Sequence, residues 1–336
     1  MEQERSLVAD KLKEWNTRLA DYESETNGVE LKHSLNLASD IAINYVVEST
    51  ILDEYDSCYL ECAVPIYEGN ERIGTEPVTL QPELRGAYYY FVLNGLTSLK
   101  MNDMIDATLH MSKDGRRYVS NVDRYSIGTY AYNQLNGKDK PEELKALCAN
   151  LLRYGAKAQL WKEYRTDALA DANMTDAHKA YLNDLDSVVF GSNNRTLTDI
   201  EDPVITWGGK ALRLDSKIVV RFVMNTTNYT GDLKNLSLHV SFVNIKGEKE
   251  TVVLTEHTVY DASRNFHVFD FDGLLSAEMR SVLSAAVYEG DTQLSPTMEY
   301  SIDTYGKGKT GMLLIVTQAM VAYGDSAKAF FSNTSS

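Results

Sequence analysis

The sequence predicts a mainly β protein with helices (α+β), folded as two tandem antiparallel β-sandwich-like domains that each close with an apolar C-terminal helix. Three observations carry this reading. Tyr125-Ser126-Ile127-Gly128-Thr129-Tyr130 returns as Tyr300-Ser301-Ile302-Asp303-Thr304-Tyr305, and each copy leads into an apolar helix with a Tyr-Gly pair, Tyr154-Gly155 and Tyr323-Gly324. Leu35 to Val46 aligns with Leu212 to Val223, and Tyr90 to Leu96 with Val268 to Leu274, so the spacing is nearly constant over most of the repeat. Short period-2 runs bounded by turn dipeptides fill the rest of each copy, as expected of an antiparallel sandwich or curled sheet.

Taken in order, residues 1–28 form an N-terminal segment in which Leu7, Leu12, Trp15 and Leu19 recur at helical spacing, the pattern of an amphipathic helix. Residues 29–163 form the first domain. Its opening strand alternates through Leu35, Leu37, Ile41, Ile43 and Tyr45, matched by Leu212, Leu214, Ile218, Val220 and Phe222, so this face is core in both copies. The opposite face reads Asn36, Asp40 and Asn44 in one copy and Arg213, Lys217 and Arg221 in the other, a solvent face whose charge differs. Phe91 and Leu93 are matched by Phe269 and Phe271 before Asn94-Gly95 and Asp272-Gly273 end the strand. Ile105, Ala107, Leu109 and Met111, and likewise Leu283, Ala285 and Val287, mark further strands that turn at Asp114-Gly115 and Gly290-Asp291.

A helix from about Pro141 to Lys162 places Leu144, Leu147, Cys148, Leu151 and Leu152 on one face. The joining segment, 164–204, includes a short helix over Thr175 to Leu185 with Thr175 as N-cap. Residues 205–331 form the second domain, and its closing helix near Gly311 to Phe331 is apolar almost all round at Met312-Leu313-Leu314-Ile315-Val316, which predicts burial on more than one side. Residues 332–336 are a tail.

With 33 basic and 48 acidic residues the formal charge is −15, which repels a phosphate backbone, and no basic stripe interleaved with aromatics offsets it. Nucleic acid is therefore excluded as a partner. No apolar run reaches transmembrane length, and Met1 is not followed by a signal-type region. Cys58 and Cys62 lie four apart on one strand, beyond disulfide reach, and Cys148 belongs to the helix face, so three reduced core cysteines are expected. The sequons at Asn173, Asn194, Asn225, Asn228, Asn235 and Asn333 reflect a chain rich in Asn and Thr.

Few residues point to chemistry. The six histidines show no zincin spacing, and there is no nucleophile elbow, P-loop or dinucleotide fingerprint, so neither catalytic residues nor metal ligands are assigned and no enzyme activity is expected. Carboxylates cluster at Asp53, Glu54 and Asp56 and at Asp199, Glu201 and Asp202, where calcium is the conceivable ion but a solvated acidic loop is the plainer reading. No cofactor is otherwise implied. Aromatics give the most usable signal: with Phe91 and Tyr89 on the core face of their strand, Tyr88 and Tyr90 point outward, where flat phenols stack on sugar rings or anchor a protein partner unless another layer covers them.

With Ser34 to Ile41, Tyr125 to Tyr130, Arg165 to Asp171 and above all Leu147-Cys148-Ala149-Asn150-Leu151-Leu152-Arg153-Tyr154-Gly155-Ala156-Lys157-Ala158-Gln159, the chain resembles a tandem module of large secreted or cell-surface proteins of gut-dwelling anaerobic Gram-positive bacteria. The resemblance spans about residues 31 to 331 and implies an extracellular or surface setting, neighbouring domains in a longer protein, and a binding or adhesion role, with a glycan or a protein as partner. It supplies no catalytic residues. A structural spacer is the alternative expectation, and a carbohydrate-active enzyme a more distant one.

Overall fold

A computed structural model describes residues 25–37, 41–213 and 218–334. The predicted N-terminal helix lies outside them. The described chain is mainly β with a few helices, and its sheets are antiparallel apart from one short parallel pairing at an edge.

In chain order the first half contains β1 (Glu25–Thr26), β2 (Lys32–Asn36), β3 (Ala42–Glu48), the single turn α1 (Ser49–Leu52), β4 (Ser57–Glu68), β5 (Glu71–Leu80), β6 (Glu83–Arg85), β7 (Tyr88–Leu93), β8 (Ile105–Lys113), β9 (Arg116–Val119), β10 (Asp123–Tyr125), α2 (Ile127–Asn136) and α3 (Glu142–Lys162). The single turn α4 (Asp176–Lys179) and β11 (Asn194–Thr196) follow. The remainder is β12 (Thr206–Arg213), β13 (Val219–Asn225), β14 (Leu236–Val243), β15 (Lys249–Leu254), β16 (Thr258–Asp261), β17 (Phe266–Phe271), β18 (Leu283–Glu289), β19 (Thr292–Gln293), β20 (Met298–Tyr300) and α5 (Gly311–Thr334).

Four sheets result. The first half has a four-stranded sheet, β2-β3-β7-β6, and a larger one containing β9-β8-β4-β5 with β10 paired to β8; the second half has β12-β13-β17-β16 and β11-β20-β18-β14-β15. In each half the two sheets meet through apolar faces: Phe242 and Phe271 lie 5.9 Å apart across one pair, and His33 and Tyr125 stack at 3.9 Å across the other. Leu60, Ile105, Leu109 and Phe91 in one half, and Leu238, Leu283, Val287 and Phe269 in the other, are fully buried or nearly so. Burying each such side chain contributes roughly 1.5–3 kcal/mol, which makes these facing strands the main source of stability.

Two expectations about strands and helices are corrected. The alternating run from Leu35 to Tyr45 is not one strand but two antiparallel ones, with Leu35 paired to Ile43 and Lys32 to Val46; Leu212 likewise pairs with Val220. Alternation survives the reversal because paired residues share a face, so period alone does not reveal the break. In α5 the most apolar turn is not the buried one: Met312 is exposed and Leu313, Leu314 and Ile315 are half-buried, while the fully buried stretch centres on Ala319 to Gly324. Small residues there permit close approach, and closeness, not hydropathy, decides which turn is enclosed.

The predicted helix over Thr175 to Leu185 is confined to Asp176–Lys179, although Thr175 does cap it, accepting from the His178 amide at 3.3 Å. The Tyr-Ser-Ile repeat also diverges. Ser126 caps α2 by accepting from Thr129 N at 3.0 Å, whereas Ser301 opens only a 3₁₀ turn, Ile302–Thr304. What both copies keep is one backbone bond: Gly128 N donates to Met101 O at 2.7 Å and Asp303 N to Met279 O at 3.1 Å.

The two long helices, α3 and α5, pack antiparallel on each other. Tyr154 and Tyr323 stack at 6.0 Å and 13° between them. Asn150 Nδ2 donates to Ser326 Oγ at 3.0 Å, and Asn333 to Glu143 at the far end at 3.3 Å. The glycine after each tyrosine is required by contact: a Cβ on Gly155 would stand 2.5 Å from Met101 Sδ and 3.0 Å from Ser98 O, and one on Gly324 2.8 Å from Met279 Sδ and 3.0 Å from Ser276 O. The segment between the halves is fastened to this seam, since Asn183 Nδ2 donates to Ala322 O and Ser326 Oγ while Arg153 donates to Asn183 O and Asn150 Oδ1. Leu37 O, from the first half, accepts from Ser276 Oγ at 2.8 Å.

Candidate binding face

Tyr88 and Tyr90 stand on the outer face of the first four-stranded sheet. The placement follows from the β6–β7 hairpin: Arg85 pairs with Tyr88 across a two-residue loop in which Gly86 has φ 61°, a conformation that favours glycine. From there the strand alternates. Phe91 and Leu93 are buried, Tyr89 packs against the core and donates its hydroxyl to Asp53 Oδ1 at 2.9 Å, and Tyr88 and Tyr90 remain half-buried on the opposite side.

Each of these two rings has a cation beside it. Lys32 Nζ lies 5.6 Å from the Tyr88 centroid and 2.7 Å from Glu48 Oε1; Arg85 lies 5.1 Å from the Tyr90 centroid and 2.6 Å from Glu83 Oε2. The Glu48 hydrogen bond raises the Lys32 pKa, and the Arg85 hydrogen bond lowers that of Glu83. All four charged groups are well exposed, so solvent and salt screen these pairs and they exchange readily. Along β2 and β3 opens a shallow groove of about 380 Å³ with apolar walls from Val29, Val46 and Ile51 and polar groups from Lys32, Glu30 and Glu48; neither tyrosine lines it. That volume is in the range of small-ligand sites.

The matching face of the second half is built differently. Phe266 and Val268 occupy the places of Tyr88 and Tyr90, and Val268 is buried. Asp270 takes a bidentate bond from Arg221 at 2.8 and 2.7 Å and a further one from Arg213 at 3.3 Å, and the Arg221 hydrogen bond holds its carboxyl below the usual range. The basic face seen in the sequence is therefore partly neutralised by a carboxylate on the neighbouring strand.

Both carboxylate clusters include groups engaged within the protein. Asp53 accepts from Tyr89, Asp56 from the Asp114 amide, and Asp199 from the Thr297 amide at 2.9 Å. Among the described residues no three His, Cys, Asp or Glu side chains are arranged to hold a metal ion. The three cysteines are unpaired, and burial pushes the thiols of Cys62 and Cys148 up to about 12.

Sequence reasoning missed two clusters because each forms across strands. His33 Nε2 lies 2.8 Å from Asp123 Oδ2, with the ring stacked on Tyr125 and edge-on to Tyr45. His257 and His267 meet with centroids 5.3 Å apart, brought together by the β16–β17 hairpin. The ten-residue gap with an intervening turn was the available signal. No helix among the described residues is long and apolar enough to cross a membrane. No family model and no curated protein matches the chain.

Proposed function

We propose that the chain is a non-catalytic binding module, made of two copies of one sandwich-plus-helix unit (residues 29–163 and 205–331) joined through 164–204, and that its first copy binds a glycan on the sheet face that carries Tyr88 and Tyr90. The observation that carries this reading is the half-exposed phenol pair on an outer sheet face, each ring flanked by an exchangeable ion pair. An aromatic ring offers a sugar a flat apolar face, and Lys32, Glu48, Arg85 and Glu83 supply donors and acceptors for its hydroxyls. The second copy, with Phe266 and a buried Val268, lacks the phenol pair. Display at a bacterial cell surface, within a longer protein, is the setting that the resemblance of the Leu147 to Gln159 run supports.

A glycan array followed by calorimetry tests the proposal. Weak saturable binding to a saccharide, lost in Tyr88→Ala and Tyr90→Ala, is expected; absence of binding, or binding unchanged in both variants, would count against it. The second reading, a structural spacer, is favoured by a different observation: the Tyr154–Tyr323 stack and the Asn150, Asn183 and Ser326 network tie the halves together.

A further inference from the structure

The most apolar turn of α5 is left outside the core. Met312 is exposed, Leu313, Leu314 and Ile315 are half-buried, and Val316 is the first residue of the helix to be enclosed. Successive residues of a helix point about 100° apart, so these four side chains look out all the way round the axis. No side of this turn is fully enclosed. It stands at one end of the helix seam: from the Tyr154–Tyr323 stack, about eight residues on along α3 and about eight back along α5, some ~12 Å on each axis, bring Lys162 level with Ile315.

Lysines and aromatic rings surround the tip. Lys162 Nζ lies 4.3 Å from the Trp161 ring centroid and Lys309 Nζ 4.8 Å from that of Tyr305, and both rings are half-buried. Turns closed by Lys307 N on Thr304 O and by Lys309 N on Gly306 O hold these two lysines just ahead of Gly311, where the helix begins. Lys162, Lys307 and Lys309 form no ion pair among the described residues. Glu163 is the acid beside Lys162, while Asp303 and Asp325 are taken up by Arg280.

We propose that this tip enters the interface of an anionic lipid bilayer, with Met312, Leu313 and Leu314 at the acyl boundary and Lys162, Lys307 and Lys309 on the lipid phosphates. A turn that is apolar all round is satisfied by a medium that closes about it, which a flat protein face does not do. Trp and Tyr rings beside an apolar insertion, with lysines whose stems lie along it, are the side chains that settle at a bilayer interface. The formal charge of −15 does not oppose this at close range, because charges beyond a Debye length of about 8 Å are screened at physiological salt. With Val316 already enclosed, the tip falls far short of the ~20 apolar residues that span a bilayer, so the association is peripheral. The equivalent turn of α3 reads Glu143, Leu144, Lys145 and Ala146, with Leu144 and Lys145 buried, so the tip belongs to the second half alone.

Sedimentation of the whole chain with vesicles tests this, using phosphatidylcholine alone and an equimolar mixture with phosphatidylglycerol. The chain is expected to associate with the mixture, more than about tenfold more weakly with phosphatidylcholine alone, and less as salt is raised. Met312→Glu, and Lys307→Glu combined with Lys309→Glu, should each lower association by more than about tenfold, while Ile73→Ser, at an exposed apolar position elsewhere, should leave it unchanged. Circular dichroism confirms that the variants fold; should one fail to, quenching of the parent's tryptophan emission by brominated acyl chains, lost in Trp161→Phe, decides. No association with the anionic vesicles, or association retained in the folded tip variants, overturns the proposal. So does a concentration-dependent dimer that Met312→Glu abolishes, since a second copy would then cover the tip.

Discussion

Beside the Tyr125 ring the first half places His33, Tyr45, Cys62 and Asp123, while the register-equivalent positions around Tyr300 hold Lys210, Phe222, Val240 and Met298. The tyrosine is common to both, and so is a nitrogen group over its ring: His33 stacks at 3.9 Å and Lys210 Nζ lies 5.5 Å from the centroid. The partner of that nitrogen differs. His33 meets the Asp123 carboxylate, but Lys210 has no ion pair among the described residues, and burial lowers its pKa. Tyr45 keeps a buried hydroxyl with no hydrogen-bond partner where Phe222 has none to satisfy. The comparison separates a frame held in common from polar groups that each half has acquired for itself.

The frame is broken most severely at the helix seam. Gly155→Val and Gly324→Val should each cost about 3 kcal/mol in urea denaturation, because both side chains would press on a methionine sulfur and a serine carbonyl. A large loss at one glycine and none at the other would end the equivalence of the halves. Asn150→Ala should cost about 2 kcal/mol, since it strands Arg153, the Asn183 amide and the Ser326 hydroxyl together. Tyr45→Phe runs the other way: importing the residue of the second half removes an unpartnered hydroxyl and should stabilise by about 1 kcal/mol, read as a raised denaturation midpoint. Destabilisation there would mean that the hydroxyl has a partner in solution.

A smaller effect sharpens the comparison through pH. His267 has a lowered pKa in the fold and an ordinary one, 6.5, in the unfolded chain, so the unfolded state binds the extra proton first. The stability this provides is complete above pH 6.5 and is lost as pH falls through that value toward the folded pKa. The protein should therefore lose stability on mild acidification, and His267→Phe should flatten that slope.

The strands were legible because period-2 alternation and turn dipeptides are local. Ile105 to Met111 forms a strand with alternating burial, and Asp114-Gly115 closes the hairpin with φ of 52° and 75°. The strand break between Leu35 and Ile43 was not legible, since both sides of it keep the same face toward the core. The buried turn of α5 was misplaced because hydropathy peaks at Met312 to Val316, whereas enclosure depends on what α3 and the Ser276–Glu278 turn bring against Ala319 to Gly324. Tyr88 and Tyr90 could be placed on their face from alternation alone. Their ion pairs could not, because Lys32, Glu48 and Arg85 come from three different strands.

The most direct test gives the first half the outer face of the second. Tyr88→Phe combined with Tyr90→Val puts the residues of Phe266 and Val268 on β7 without touching the core face. If the frame is shared and the outer face carries binding, the double variant keeps its unfolding free energy to within about 1 kcal/mol and loses glycan binding. A variant that unfolds, or one that binds as the parent does, would contradict the account.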